Sequence, residues 1–87
     1  MRNLKLVLVD WHDSRGVGAS WSRISDVKDD GICKMQSVGW LVKKTKKHIC
    51  IMPHVGIEDD GDDQGCGEMH IPRSCIDSIV ALKPPHD

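Results

Sequence analysis

Six residues of this chain are of the types that hold metal ions: His48, Cys50 and His54 fall in one short stretch, and Cys66, His70 and Cys75 in a second. Zinc asks for four nitrogen or sulfur donors converging on one point, and structural sites usually deliver two of them as a Cys-x-x-Cys pair. No such pair is present. Alternation along an extended chain sets His48 and Cys50 on one face, whereas a closed site needs four convergent directions. Read as small buried hydrophobes and partly exposed imidazoles, these residues require no ion, so no metal and no other cofactor is expected. The run Glu58-Asp59-Asp60-Gly61-Asp62-Asp63 supplies hard oxygen donors. It lacks the twelve-residue spacing and final bidentate Glu of a calcium loop, and reads as a solvated loop, with a DNA-mimicking acidic surface as its functional alternative.

A nucleophilic triad could be drawn from Cys66 or Cys75 with His70 and an Asp, or from Ser14 with His12 and Asp13. Catalytic groups normally meet from separate elements inside a water-excluding cleft, and a small domain has little volume for one. Enzymatic activity is therefore not expected. What remains is recognition. The chain has no Phe or Tyr, and its three aromatic residues are Trp11, Trp21 and Trp40. Trp21 lies two residues from Arg23 in a polar stretch, and an exposed indole beside a guanidinium can stack a base and pair with a phosphate. The expected ligand site is built from Trp11, Asp13, Trp21, Arg23 and His54, with Asp13 or His54 offering hydrogen bonds to a base edge. In the competing structural reading, Trp11 and Trp21 close the open ends of the core, because no other large side chains are available. Trp40 reads as packing or interface.

These residues must be positioned by strands. Residues 4–11 form an apolar, β-branched run that reads as a strand, with Leu4, Leu6 and Leu8 on one face and Val7 and Val9 on the other. A small barrel's interior accounts for one of these faces, so the other points to a subunit contact. Residues 12–30 are loop chemistry rich in Gly, Ser and Asp, and a long loop carrying a Trp is a natural binding element. A second strand over 32–42 and a third over 48–53 flank the polar turn Lys43-Lys44-Thr45-Lys46-Lys47. Gly39 in mid-strand marks a bend that would let one strand serve two sides of a barrel. Residues 58–67 form a mobile acidic loop, followed by a short strand over 68–72, a tight turn at 73–75 and a last strand over 76–82. The expected architecture is all-β: a small five-stranded SH3/Sm-like barrel with long loops, as one domain over 1–83 with a short tail at 84–87.

Size and charge narrow the function. An 87-residue chain with 12 Lys+Arg against 13 Asp+Glu is one domain without the basic excess of a general nucleic-acid binder. A chain this short is marginally stable by itself, and oligomerisation is an expected source of support. The apolar run near the N-terminus is short and broken by Lys5, and no stretch approaches the roughly 20 apolar residues of a membrane span. A soluble intracellular protein with reduced thiols and no membrane contact is the expectation.

The order of elements resembles the Sm-like family, with 38–52 as its long hairpin and 69–82 as its final two strands. That likeness implies an RNA-binding ring as one function, in which the lysines of 43–47 touch phosphates. The chain starts directly with a strand where that family has a leading helix, and no RNA-contacting residue is carried across. A closer likeness lies in Val9-Asp10-Trp11-His12-Asp13-Ser14, Trp21, Ser37-Val38-Gly39-Trp40-Leu41-Val42 and Ile71-Pro72-Arg73 followed by 76–82. Together these resemble small proteins encoded by tailed bacteriophages. The resemblance implies a viral accessory protein in the host bacterial cytoplasm, acting as a homo-oligomer that counters host defence by sequestering a small nucleotide signal or by blocking a host protein.

Overall fold

The computed structural model of the protein describes residues 4–16, 20–29 and 31–83. The tail expected at 84–87 lies outside them. Among the described residues there is no α-helix, and hence no helix long and apolar enough to cross a membrane. The described residues form seven strands: β1 (Lys5–Asp13), β2 (Cys33–Lys44), β3 (His48–Met52), β4 (His54–Gly56), β5 (Gln64–Cys66), β6 (Met69–Pro72) and β7 (Ile76–Leu82). Five of them form an antiparallel sheet in the order β6-β3-β2-β1-β7, and β4 with β5 forms a separate two-stranded ribbon.

The alternation in β1 decides which face is the core. Val7 and Val9 are buried and pack with Ile49, Ile51 and Ile71, while Trp11, Leu41, Cys75, Ile76 and Ile79 close around them. Burying a Val or Ile side chain contributes roughly 1.5–3 kcal/mol, so these five side chains carry the domain. The core is aliphatic because the sequence offers almost nothing else. Gly39 lies opposite Val7, and a Cβ there would stand 3.1 Å from Ile51 Cβ and 3.2 Å from the Met52 carbonyl oxygen. Its lack of a side chain lets Ile51 and Met52 of β3 approach β2 closely. β2 pairs with β1 from Cys33 to Leu41 and with β3 from Trp40 to Lys44, with an irregularity between Leu41 and Lys43.

Both connections that tie the sheet together use specific polar contacts. At the β2–β3 turn the Thr45 hydroxyl accepts from the backbone N–H groups of Lys47 and His48, and the Thr45 N–H donates to the His48 carbonyl at 2.9 Å. Arg73 then clamps this turn: its Nε donates to the Thr45 carbonyl at 3.1 Å and its backbone N–H to the Lys47 carbonyl at 2.8 Å. The Ile-Pro-Arg segment thus has a structural task, holding the 3-10 turn Arg73–Cys75 between β6 and β7 against the hairpin tip. The ribbon corrects one sequence expectation. Residues 64–66 are not part of a bare acidic loop but pair with 54–56, and the Met52 side chain lies against Gly65, its Sδ in the place a Cβ would take.

Candidate functional site

The five residues expected to form one ligand site sit on three different elements. Trp11 lies near the end of β1 on the core side, half-buried, and its indole N–H donates to Ser37 Oγ at 3.0 Å. Its polar tip is thereby satisfied and its ring closes the core, as in the structural reading of this residue. Asp13 is exposed at the strand end, where its carboxylate accepts the Ser14 N–H at 2.8 Å. Trp21 and Arg23 belong to the long loop, and the Arg23 carbonyl accepts the Asp26 N–H at 2.9 Å in the 3-10 turn Ile24–Asp26. His54 is exposed on the ribbon, paired with Cys66. A pocket of about 400 Å³ does open beside the loop, but its walls include Arg15, Ser22, Asp26, Lys28 and Asp29 rather than Trp21 or Arg23.

Besides Met35, Ile57 and Met69, the exposed large apolar side chains fall in two places. The first is the loop itself. Trp21 is as exposed as in an isolated residue, at 102%, and Ile24 reaches 91%; Val27 and Ile32 follow. The Ile24–Asp26 turn buries none of its residues. Charges along this segment balance in the sequence, with Arg15, Arg23 and Lys28 against Asp26, Asp29 and Asp30, so it has no net phosphate-seeking bias.

The second place is the outer face of the sheet, read directly from the register. Leu8 lies between Val38 and Val80, and Leu6 between Trp40 and Leu82, while Trp40 faces Met52 on its other side. These rows place apolar side chains on four adjacent strands, with Met52 against the β4–β5 ribbon at Gly65, and Val38 and Val80 remain 52% and 48% exposed. Further along the same face the chemistry changes. Asp10 accepts from Gln36 Nε2 at 2.8 Å and from the Ser78 hydroxyl at 3.0 Å, and His12 Nδ1 meets Asp77 Oδ1 at 3.2 Å. The outer face is thus half apolar and half polar, with the boundary between the Leu8 and Asp10 rows.

A third grouping was missed by sequence reasoning. Cys50 and His70 are directly opposite each other on β3 and β6, and Glu68 precedes His70 by two residues on the same side. The thiol that meets His70 is Cys50, not Cys66 or Cys75. One donor atom from each of Cys50, Glu68 and His70 falls within 4.8 Å of the others, and His70 Nε2 is hydrogen-bonded to Glu68 Oε2. Cys50 is 2% exposed, and desolvation, followed by the nearby Glu68 carboxylate, raises its pKa above the ordinary 9.0. At neutral pH it is a thiol rather than a thiolate, which is the wrong form for a nucleophile. Among the described residues all four cysteines are unbridged. Finding this cluster required the β3–β6 register and the inclusion of a carboxylate among the donors.

Comparison of the chain with protein-family models, curated proteins and solved structures yields no match.

Proposed function

We propose that this chain is a non-enzymatic binding protein that works as a homo-oligomer, joined through the apolar half of its outer sheet face and presenting the 14–32 loop to a partner protein. The observation that carries this reading is the location of the exposed apolar side chains. Trp21 and Ile24 are exposed on the loop outside the walls of its pocket, and Val38 and Val80 are half exposed on the sheet face, positions suited to contacts with macromolecules. Trp21, Ile24 and Val27 have the composition of an anchor group, since large aromatic and aliphatic side chains that enter a partner's pocket supply most of an interface's energy. A nucleotide would instead need a second wall against the Trp21 ring and donors aimed at its phosphates.

Leu6, Leu8, Val38, Trp40, Val80 and Leu82 would expose more contiguous apolar surface than a soluble monomer usually tolerates, and a two-fold axis near β1 would lay this patch on its own copy. In the finer architecture of the proposal, the five-stranded sheet curls into a small SH3/Sm-like barrel, with its edge strands β6 and β7 joined by the tight turn Arg73–Cys75. The resemblance to phage proteins suggests that the loop's partner is a host defence protein in the bacterial cytoplasm.

The test of the loop is a comparison of the wild-type chain with Trp21→Ala and Arg23→Ala. A partner protein captured by the wild type and then reconstituted from purified components should bind both the wild type and Arg23→Ala, but not Trp21→Ala. Binding of a nucleotide or RNA that depends on both Trp21 and Arg23 would overturn the proposal.

A further inference from the structure

We propose that Cys50, Glu68 and His70 form a binding site for a borderline-soft divalent ion of the zinc class, with three protein donors and a fourth position completed by solvent or by His48. The site does not use the 14–32 loop, and it adjoins the apolar rows of the outer face, sharing Met52 with them.

A thiolate, an imidazole and a carboxylate form the mixed set that zinc accepts, at roughly 2.3, 2.0–2.1 and 2.0–2.2 Å respectively. In a tetrahedron with those bond lengths the donors stand roughly 3.3–3.7 Å apart. Here they already lie within 4.8 Å of one another, so closure asks for movements of about 1 Å. Those movements fall where they are cheap: the Glu68 and His70 side chains are 56% and 48% exposed, whereas Cys50 is fixed by burial in β3. The half-open arrangement also provides a route for the ion, through a pocket of about 180 Å³ that these three residues line with Val42, Lys43 and Met52.

Two features beyond the triad bear on the site. The His48 ring lies 5.2 Å from that of His70, centroid to centroid, and its Nδ1 contacts Thr45 Oγ1 at 3.1 Å, which leaves Nε2 for a ligand. Lys43, opposite Cys50 in β2, is the cation on the pocket wall and keeps affinity below that of a closed four-ligand site. Binding releases the Cys50 thiol proton to solvent and replaces the His70–Glu68 hydrogen bond, with the His70 ring carrying its proton on Nδ1 so that Nε2 and the Glu68 carboxylate both face the ion. The bound thiolate and carboxylate together balance the charge of a divalent cation.

The experiment is a cobalt(II) titration of the full chain, chelator-treated and kept reduced, followed by absorption and then by displacement with zinc. One equivalent of cobalt should give a thiolate-to-metal charge-transfer band together with the intense visible bands of a four-coordinate ion. Cys50→Ala should abolish the charge-transfer band, His70→Gln and Glu68→Gln should each weaken binding by about tenfold or more, and Cys66→Ser should leave the spectrum unchanged. The absence of the band in the wild type overturns the proposal. So does a band that survives Cys50→Ala and disappears in Cys66→Ser, which would identify the exposed thiol as the ligand. Cys50 is buried and its replacement could unfold the chain, so His70→Gln and Glu68→Gln, on exposed side chains, decide the matter separately: unchanged affinity in both also overturns it.

Discussion

Replacing Val38 and Val80 together by lysine should break the proposed self-association without unfolding the subunit. Both residues flank Leu8 on the outer face and are about half exposed, at 52% and 48%, so the isolated chain loses little when they become polar. In an assembly the exposed half of each side chain is covered. Full burial of a Val is worth roughly 1.5–3 kcal/mol, so covering half contributes about 0.8–1.5 kcal/mol per residue. An isologous contact uses each residue twice, so the two substitutions remove about 3–6 kcal/mol from a dimer. This corresponds to a dissociation constant weaker by about two to four orders of magnitude, before any repulsion between the new lysines is added. Sedimentation equilibrium over a wide concentration range measures the constant, and circular dichroism checks that the variant stays folded. A double variant that remains folded and associates as tightly as the wild type would refute the reasoning.

Other consequences follow from the same geometry. Trp21→Ala should leave the thermal midpoint almost unchanged, within about 0.5 kcal/mol in stability, because the side chain touches nothing that folding orders; a clear loss of stability in urea would mean that the ring packs within the subunit. Gly39→Ala should destabilise by about 1–3 kcal/mol, since the added Cβ meets Ile51 and the Met52 carbonyl, and the midpoint should fall by about 4–8 °C per kcal/mol in a thermal melt. Ile49→Ala, in the centre of the core, should cost about 2–5 kcal/mol and leave little folded protein by circular dichroism. Cys50 adds a pH dependence. Its pKa is raised in the folded chain, so the stability associated with the neutral thiol is present below the ordinary value of 9.0 and is lost as pH rises through the higher folded value. Denaturant midpoints of wild type and Cys50→Ala should therefore converge in alkaline solution, and parallel curves would contradict the assignment.

The strands were legible in the sequence where one residue's neighbours already determined its face. Val7 and Val9 stand out because they alternate with Leu6 and Leu8, and the apolar character of both faces of β1 is itself what points to a covered outer surface. The lysine-rich turn was equally readable, because hairpin tips are local chemistry, whereas the irregularity of β2 falls between Leu41 and Lys43 and not at Gly39. The β4–β5 ribbon was not. It pairs two three-residue strands across the acidic segment, and nothing in the Gln64-Gly65-Cys66 stretch distinguishes a strand from a loop until His54–Gly56 lies alongside it. Cross-strand register was equally hidden. Cys50 and His70 are 20 positions apart, and only the alignment of β3 with β6 makes them neighbours. The expected ligand residues fared unevenly for the same reason: Trp21 and Arg23 are close because they are close in sequence, whereas grouping Trp11 and His54 with them required a tertiary arrangement that no local pattern encodes.

The most direct measurement is native mass spectrometry of the reduced, wild-type chain purified from a bacterial host. It reports subunit number and retained ligand mass in one spectrum. The account predicts a dimer of the 9.7 kDa chain with no nucleotide-sized mass attached. A bare monomer at micromolar concentration would contradict the role given to the Leu6 and Leu8 rows, and an oligomer carrying one nucleotide per subunit would contradict the reading of the Trp21 loop as a protein-docking element.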